Sequence, residues 1–364
     1  MLGSSKEDVL IYGAGLSGMV AAVNLAKEGF RVTIREKEDS FGGSKMYNPS
    51  VHTTPLDPAL TSEYIGIDIS PAFKPASSIA LYIHDFRMQI PGHMTFHVER
   101  SSREQSIDYL LYEECLKVGI NFEFSRPLKP EDIHSLPPRT IIACGLNKSV
   151  YEYLGIPFAK WTAWMARGKY SDPERENYAW IWLDESITEY GYISFCNGIY
   201  YNLLFTAEEE VTDEALSRYR DFMKRVEGFE EENWTYINGV VPAASGEMPS
   251  LERNGLIMCG TISGCIDPLF GFGISGALVS GKVAALAVTD TELAREEFGR
   301  FTRNFAKVYV FKQDVWYPLR KQVELIEGIA RILGPERMLA LLVDGIRHGR
   351  KNSAIPGFSP VSCS

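Results

Sequence analysis

The chain has 364 residues, of which 45% are hydrophobic and 23% charged, and its formal net charge is −10. This length exceeds the usual limit for a single core, so we expect two domains and an appendage. The acidic balance leaves no basic face for nucleic acid. The six cysteines lack CxxC or zinc spacing, which predicts reduced thiols, no metal site and a cytoplasmic location. We expect neither a signal peptide nor a membrane span, so any membrane contact should be peripheral at most.

The segment from Val9 to Glu36 has the pattern of a dinucleotide-binding unit. A strand over residues 9–12 precedes a GxGxxG turn, a helix over 16–28, a second strand over 31–35 and an acidic residue. The three glycines permit a tight turn, backbone approach to a pyrophosphate and close helix–strand packing, and the acid accepts hydrogen bonds from ribose hydroxyls. The predicted cofactor contacts here are Gly13, Ala14, Gly15, Leu16, Ser17, Gly18, Glu36 and Lys37.

A Gly42–Gly43 pair follows this unit and indicates which dinucleotide is bound. FAD proteins of the glutathione-reductase and amine-oxidase type often carry such a pair after the acid, and the segment resembles theirs. The resemblance implies FAD, with Gly43 and Ser44 beside the cofactor. A plain turn after a strand is the alternative.

Apolar residues recur at helical spacing over residues 105–118, which predicts a helix there, followed by a strand at 120–124. This order resembles the p-hydroxybenzoate-hydroxylase superfamily, where an arginine before that helix commonly lies near the flavin. Arg100 is the candidate, and a solvated arginine at a helix start is the alternative. Residues 140–145 resemble the strand and Ala-x-Gly turn that cross the cofactor again, with Ala143 and Gly145 as contacts.

The aromatic-rich region from about 151 to 238 reads as strands of a substrate domain. Alternation predicts one shared face for Tyr178, Trp180 and Trp182, and another for Tyr190 and Tyr192. The segment is similar to the geranylgeranyl-reductase pattern Tyr-x-Trp-x-Phe-Pro followed by Gly-x-Gly. The match is partial, because Trp182 and Leu183 replace Phe-Pro and Ile193 replaces the second glycine. Tyr178, Trp180, Trp182 and Tyr190 are therefore predicted to line an apolar substrate tunnel. An ordinary sheet face packed on helices is the alternative.

A second glycine-rich motif follows a strand at residues 256–259 and precedes a helix over 278–288. It resembles the C-terminal flavin motif of the geranylgeranyl-reductase branch. The resemblance implies flavin contacts at Gly260, Thr261, Pro268, Gly271, Gly273 and Ile274. One departure is Thr261, which stands where the family has an aspartate that bonds the ribityl chain. A threonine hydroxyl still forms one such hydrogen bond, but FAD affinity is expected to fall.

The expected fold is α/β, with a Rossmann-type FAD-binding domain, an inserted antiparallel β-sheet substrate domain and a C-terminal helical segment. The FAD-binding domain is assigned to residues 1–50, 95–150 and 239–290, the substrate domain to 51–94 and 151–238, and the helical segment to 291–364. Residues 322–348 are expected to form two helices interrupted at Gly334–Pro335. These helices either dock on the second domain or present an apolar surface for a lipid or a membrane.

The resemblance to the geranylgeranyl-reductase branch extends to about Val288 and implies a FAD-dependent oxidoreductase that reduces carbon–carbon double bonds of an isoprenoid or other apolar substrate. Tyr192 and His52 are candidate proton donors. Because no second GxGxxG unit is visible, electrons are expected from transiently docked NAD(P)H or a ferredoxin-type protein. Two alternatives remain, a flavin-dependent monooxygenase on the same fold and a non-catalytic escort protein that binds prenyl or other lipid groups.

Overall fold

The computed structural model describes residues 7–92, 95–207, 210–243, 248–303, 305–334 and 337. Its strands, in chain order, are β1 Asp8–Tyr12, β2 Arg31–Arg35, β3 Ser50–Thr54, β4 Phe73–Pro75, β5 Ser78–Ile83, β6 Phe86–Pro91, β7 Phe96–Arg100, β8 Asn121–Glu123, β9 Ile141–Ile142, β10 Phe158–Lys169, β11 Tyr178–Leu183, β12 Tyr190–Cys196, β13 Ile199–Ala207, β14 Thr235–Pro242, β15 Glu252–Arg253 and β16 Leu256–Met258. Its α-helices are α1 Leu16–Lys27, α2 Pro58–Ile65, α3 Ile107–Lys117, α4 Lys148–Leu154, α5 Asp213–Phe222, α6 Ile274–Thr289, α7 Thr291–Thr302, α8 Phe305–Phe311, α9 Tyr317–Arg320 and α10 Val323–Leu333.

A six-stranded sheet in the order β15-β16-β9-β1-β2-β8 forms the first layer. All of its neighbouring pairs are parallel except β15–β16. Helices α1 and α6 pack on this sheet through an almost wholly apolar core, because parallel strands buried on both faces require helices to cover them. The predicted boundaries of β1, β2, α1 and α3 agree with the structure to within two residues.

A seven-stranded sheet in the order β14-β10-β13-β12-β11-β5-β6 forms the second domain. Its pairs are antiparallel with one exception, since β5 and β11 run parallel. Strand β14 ends at Pro242 and so crosses the domain boundary predicted at residue 239. A small sheet, β3-β7-β4, joins the two domains; it pairs β7, which was assigned to the first domain, with strands assigned to the second.

The described part of the C-terminal segment is mostly helical between Thr291 and Leu333, as predicted. Helix α10 docks on the second domain through Val323 and Ala330, which are buried against β5 and β6. Its opposite side is apolar and exposed, and Ile332 is 85% exposed. The second of the two helices predicted within 322–348 lies outside the described residues. No described helix combines the length and the apolar character needed to cross a bilayer.

Candidate dinucleotide-binding site

The glycine turn between β1 and α1 contains two glycines that close packing requires and one glycine that faces open space. Gly13 has a φ of +112°, and a Cβ atom there would lie 2.3 Å from the carbonyl oxygen of Ala143. A Cβ atom on Gly18 would lie 2.0 Å from the carbonyl oxygen of Gly13. Gly15 differs, because its φ of −82° and ψ of −179° suit any residue and a Cβ atom would meet nothing within 4 Å. The fold itself requires Gly13 and Gly18, whereas the open side of Gly15 suits a ligand.

Helix α1 begins at this turn without a side-chain cap and without an acidic residue in its first turn. Helices α2 and α3 are capped, by Asp57 and Ser106 respectively. An uncapped N-terminus leaves amide N–H groups, including those of Leu16 and Ser17, without helical acceptors and carries the positive end of the helix dipole. This arrangement fits a phosphate group.

The carboxylate of Glu36 lies over the same turn. Its Oε2 accepts a hydrogen bond from the backbone N–H of Ala14 at 2.7 Å, and its Oε1 accepts one from the N–H of Glu38 at 3.0 Å. Because Glu36 is only 8% exposed, these bonds fix the carboxylate at the end of β2, where it can accept from a ribose. The neighbouring Lys37 pairs with Glu38 at 3.1 Å and is partly exposed.

The two glycine motifs, from opposite ends of the chain, meet beside this turn. A Cβ atom on Gly281 of α6 would lie 2.4 Å from the carbonyl oxygen of Ser17 on α1. Gly260 has a φ of +74°, and a Cβ atom there would lie 2.5 Å from Ser17 Oγ on α1. The N–H of Gly260 donates a hydrogen bond to Ser280 Oγ on α6 at 2.8 Å. The sequence predicted both motifs as parts of one site, and the structure brings them together.

The loop of residues 267–273, which we call the α6 loop, is held by Asp267. The side chain of Asp267 accepts hydrogen bonds from the N–H groups of Leu269 and Phe270 at 3.1 and 2.6 Å, and burial raises its pKa. Pro268 follows Asp267 in this loop. Gly271 has a φ of +75°, and a Cβ atom there would meet nothing within 4 Å. It ends at Gly273, which begins α6 without a side-chain cap, so the predicted contact Ile274 is the first residue of α6.

Thr261 stands across from the start of α6. Its Oγ1 is 3.7 Å from the position that a Cβ atom would take on Gly273. Thr261 begins a short 3₁₀ turn, and its carbonyl oxygen accepts a hydrogen bond from the hydroxyl of Tyr151 at 3.4 Å. The predicted ribityl contact is therefore at the correct edge of the site, and its bonding to a cofactor stays a prediction.

Arg100 lies against the Gly42–Gly43 turn and is not a solvated side chain. Its guanidinium makes two hydrogen bonds, of 2.7 and 2.9 Å, to the fully buried carboxylate of Asp108. Its Nη2 is 3.4 Å from the position of a Cβ atom on Gly43, whose φ is +73°. The adjacent Ser44 stabilises the turn that follows it, because its carbonyl oxygen accepts hydrogen bonds from the backbone N–H groups of residues 47 and 48.

The turn after β9 completes the edge of the first sheet. Ala143 donates its N–H to the carbonyl oxygen of Tyr12 at 2.7 Å and is buried. Gly145 has a φ of +58°, and a Cβ atom there would meet nothing within 4 Å. The turns that follow β1, β9 and β16 thus lie at the carboxyl ends of three neighbouring parallel strands.

Neither candidate proton donor has the properties of an acid near neutral pH. The hydroxyl of Tyr192 accepts from the N–H of Thr53 at 2.7 Å and lies 3.2 Å from the carbonyl oxygen of Val51, and burial raises the pKa of Tyr192 to about 12. Tyr192 therefore ties β12 to β3. His52 Nε2 lies 2.9 Å from Ser50 Oγ, and burial, with the charge of Arg100, lowers the pKa of His52 to about 3.

The predicted aromatic wall is divided between the two faces of the second sheet. Tyr178, Trp180 and Trp182 do share a face, but they pack in a cluster with α5, where Trp180 is fully buried. Register pairs Ile181 with Tyr192, so Tyr190 and Tyr192 lie on the opposite face. The prediction of Tyr178, Trp180 and Trp182 as tunnel lining is corrected, because these residues belong to the core. Tyr190 reaches the α6 loop, where its hydroxyl donates to the carbonyl oxygen of Phe270 at 2.6 Å.

An open cleft of about 570 Å³ lies where β10 and β14 meet the segment that follows Gly43. Arg167, which lines it, donates hydrogen bonds to the carbonyl oxygens of residues 45 and 48. The apolar part of the lining comes from Met46, Met165, Tyr236 and Ile237. Its volume is in the range of small-molecule sites. Sequence reasoning missed this cleft, since its lining comes from three separate segments.

Comparison with known proteins agrees with this geometry. Residues 11–56 match the family described as an NAD(P)-binding Rossmann-like domain. The flavin-containing monooxygenase FMO GS-OX2 of Arabidopsis thaliana is 40% identical over 52 residues, which are 14% of this chain and 11% of that protein. The chain thus spans only a small part of the length of its curated relative.

Solved structures share the fold over most of the chain. A geranylgeranyl bacteriochlorophyll reductase-like protein from Thermoplasma acidophilum superposes with a TM-score of 0.65 at 17% identity, covering 87% of this chain and 90% of that one. A variant of HpxO from Klebsiella pneumoniae in complex with FAD gives 0.60 at 14% identity, with coverages of 96% and 99%. The flavin-dependent brominase Bmp2 gives 0.60 at 13% identity, with coverages of 95% and 100%. The predicted fold class is confirmed, and the chain has the fold of flavin-dependent oxidoreductases.

Proposed function

We propose that the protein is a FAD-dependent oxidoreductase that reduces carbon–carbon double bonds of an isoprenoid or another apolar molecule. One observation supports the cofactor site on which this proposal depends. The turns after β1, β9 and β16 converge at the carboxyl edge of the first sheet. At β1 the chain adds later strands on both sides, β2 and β8 on one and β9 and β16 on the other, which makes this edge a topological switch point. Ligands of open α/β sheets bind at such switch points.

The residues at this edge fit FAD. The uncapped start of α1 and the open side of Gly15 would hold the pyrophosphate, and Glu36 would hold the adenosine ribose. The Gly42–Gly43 turn, fixed beside Arg100, supports FAD over NAD(P), as does the second glycine motif at α6. The fold shared with an FAD-bound structure is a further argument.

When bound, FAD in its reduced form supplies a hydride for one alkene carbon. The uncapped N-terminus of α6, at Gly273, favours negative charge beside it through free N–H groups and the helix dipole. Asp267 fixes the α6 loop that leads to this helix start. The second alkene carbon would take its proton from water, because neither Tyr192 nor His52 is suited to deliver it.

An apolar alkene is supported by the fold shared with the Thermoplasma acidophilum reductase-like protein. Electrons would come from NAD(P)H that docks transiently or from a ferredoxin-type donor protein. The proposed setting is cytoplasmic, with membrane contact at most peripheral.

A flavin-dependent monooxygenase is the second candidate. It is favoured by the partial match to a plant monooxygenase and by the fold shared with p-nitrophenol 4-monooxygenase from Pseudomonas putida, at a TM-score of 0.55 and 14% identity. An escort protein without flavin is the third, and Thr261 is its only support.

Product analysis separates these candidates. Purified protein reduced with dithionite should convert geranylgeraniol, without oxygen, into products that have gained hydrogen. The control is the Gly15→Val variant, which should form no product because FAD is excluded. A product that appears only in air and carries an oxygen atom from O₂ would replace the reductase with the monooxygenase. No product under either condition, from protein without bound flavin, would favour the escort protein.

A further inference from the structure

Tyr190, the first residue of β12, connects the second sheet to the α6 loop. Its hydroxyl donates a hydrogen bond to the carbonyl oxygen of Phe270 at 2.6 Å. Its ring packs edge-on against Phe205 of β13, with the two ring centroids 4.7 Å apart and the ring planes at 79°. The sheet therefore fixes the ring of Tyr190, while the hydroxyl reaches into the loop.

Side chains hold both polar groups of the Phe270 backbone. The N–H of Phe270 donates to Asp267 Oδ1 at 2.6 Å, and its carbonyl oxygen accepts from Tyr190. Asp267 belongs to the loop itself, so its bond shapes the loop without tying it to the second domain. The bond from Tyr190 is the one of the two that joins the loop to the second sheet.

The residue before Tyr190 anchors this end of β12 on the C-terminal helices. Glu189 is 4% exposed, and its Oε1 lies 2.8 Å from Lys312 Nζ and accepts from the hydroxyl of Tyr317 at 2.5 Å. The carbonyl oxygen of Glu189 accepts from Arg320 Nη2 at 2.8 Å. Because a satisfied buried polar network makes its surroundings rigid, the start of β12 is a firm support from which Tyr190 can hold the loop.

The α6 loop sets the position of the N–H groups that face the proposed flavin. Gly271 follows Phe270 directly, and a Cβ atom on it would meet nothing within 4 Å. Gly273 then begins α6 without a side-chain cap, which leaves N–H groups of the first turn without helical acceptors. The attraction of a helix N-terminus for negative charge falls off within the first turn. The path of the loop therefore decides how well α6 stabilises a charge beside it.

We propose that Tyr190 is a positioning residue, which holds the α6 loop against the second domain and so keeps the start of α6 in place beside the reduced flavin. This inference rests on the proposed function, because it requires bound FAD. Loss of the hydroxyl leaves the ring packed on Phe205 but frees the carbonyl oxygen of Phe270. The start of α6 then stabilises the negative charge of the reduced flavin less well, which lowers the reduction potential.

Tyr190→Phe is the test variant, and Tyr219→Phe is its matched control. Tyr219 lies on the opposite face of the same sheet, against Gly191, and its hydroxyl donates to Asn202 Oδ1 at 3.0 Å. Each variant removes one hydroxyl donor and keeps its aromatic ring, so both should fold. Only Tyr190→Phe should affect the α6 loop.

Hydrogen exchange of the full-length protein as purified tests the contact itself. Exchange at residues 269–273 should be about five- to tenfold faster in Tyr190→Phe than in wild type, the effect of one lost hydrogen bond on local opening. Tyr219→Phe should leave exchange in this loop unchanged. Wild-type exchange of the loop in Tyr190→Phe would overturn the proposal, whether or not the protein binds FAD.

The midpoint potential of the bound flavin, measured by equilibration with a reference dye, tests the effect on the cofactor. Tyr190→Phe should lower it by about 20–30 mV, which corresponds to a five- to tenfold loss of preference for reduced flavin in a two-electron couple. Tyr219→Phe should keep the wild-type potential. Faster loop exchange with an unchanged potential would overturn the positioning role, since the loop would then be held without effect on the flavin.

Colourless wild-type protein that takes up no FAD would instead refute the proposed function, and with it the role of Tyr190 toward the flavin. The exchange measurement would still show whether Tyr190 holds the loop, so the two failures are distinguishable.

Discussion

Replacement of Gly15 by valine should separate cofactor binding from folding. The backbone at Gly15 has a φ of −82° and a ψ of −179°, and a Cβ atom would meet nothing within 4 Å. A residue with a Cβ atom gains about 0.4–1 kcal/mol from a less flexible unfolded chain. It loses about 1 kcal/mol because an apolar residue caps a helix poorly. The net change in the free energy of unfolding should therefore stay within about 1 kcal/mol.

The same side chain would fill the space next to the uncapped start of α1. Backbone approach to the pyrophosphate would then be blocked, and we expect FAD binding to be abolished, which in a titration means a loss of affinity of at least about 100-fold, roughly 2.7 kcal/mol or more. Stability is measured by urea unfolding of the apoprotein, and affinity by flavin fluorescence during titration.

Two other glycines serve as controls. Gly281→Ala should destabilise the fold by about 1–3 kcal/mol through overpacking, since its Cβ atom would lie 2.4 Å from the carbonyl oxygen of Ser17. Gly299, on the open surface of α7, should tolerate valine without loss of flavin. Gly15→Val protein that binds FAD with wild-type affinity would refute the placement of the pyrophosphate.

Three further predictions follow from single contacts. Glu36→Ala should weaken FAD binding by about 1–3 kcal/mol, the size of a lost charged hydrogen bond; unchanged affinity in equilibrium dialysis would remove Glu36 from the site. Trp180→Ala should cost about 3–5 kcal/mol of stability in urea unfolding with normal flavin content per folded molecule, because Trp180 is fully buried; a smaller loss with altered turnover would restore it as tunnel lining. Burial lowers the pKa of His84, but hydrogen bonds to Glu185 and Glu327 outweigh this effect, so the pKa in the folded protein is raised. Protonated His84 therefore stabilises the folded state fully below the pKa of the unfolded chain, and this stabilisation is lost as pH rises through the pKa of the folded protein. The protection factor of α10, which corrects hydrogen exchange for the intrinsic base-catalysed rate, should therefore fall above neutral pH in wild type but not in His84→Gln. A protection factor in wild type that does not depend on pH would contradict this.

Local chemistry made the first domain predictable. The strand, glycine turn, helix and acid from Val9 to Glu36 interact within one short segment, so their spacing specifies their geometry. The position of the turn at residues 260–274 was equally predictable from the sequence. Gly260 and Gly271 adopt backbone conformations with positive φ, which favour glycine.

The second domain was predictable only in part. Alternation placed Tyr178, Trp180 and Trp182 on one face, but whether that face meets a ligand or a helix depends on how α5 folds back over the sheet. Arg320 in α9 shows the same limit. A charged residue in a helical segment is normally exposed, and only tertiary packing brings this one to 1% exposure.

The visible absorbance spectrum of the purified protein, recorded before and after addition of FAD, tests the central claim most directly. The site at the carboxyl edge of the first sheet predicts yellow protein with the bands of an oxidised flavin, which bleach with dithionite and which Gly15→Val abolishes. Colourless protein that takes up no FAD would contradict the assignment of this edge as a flavin site.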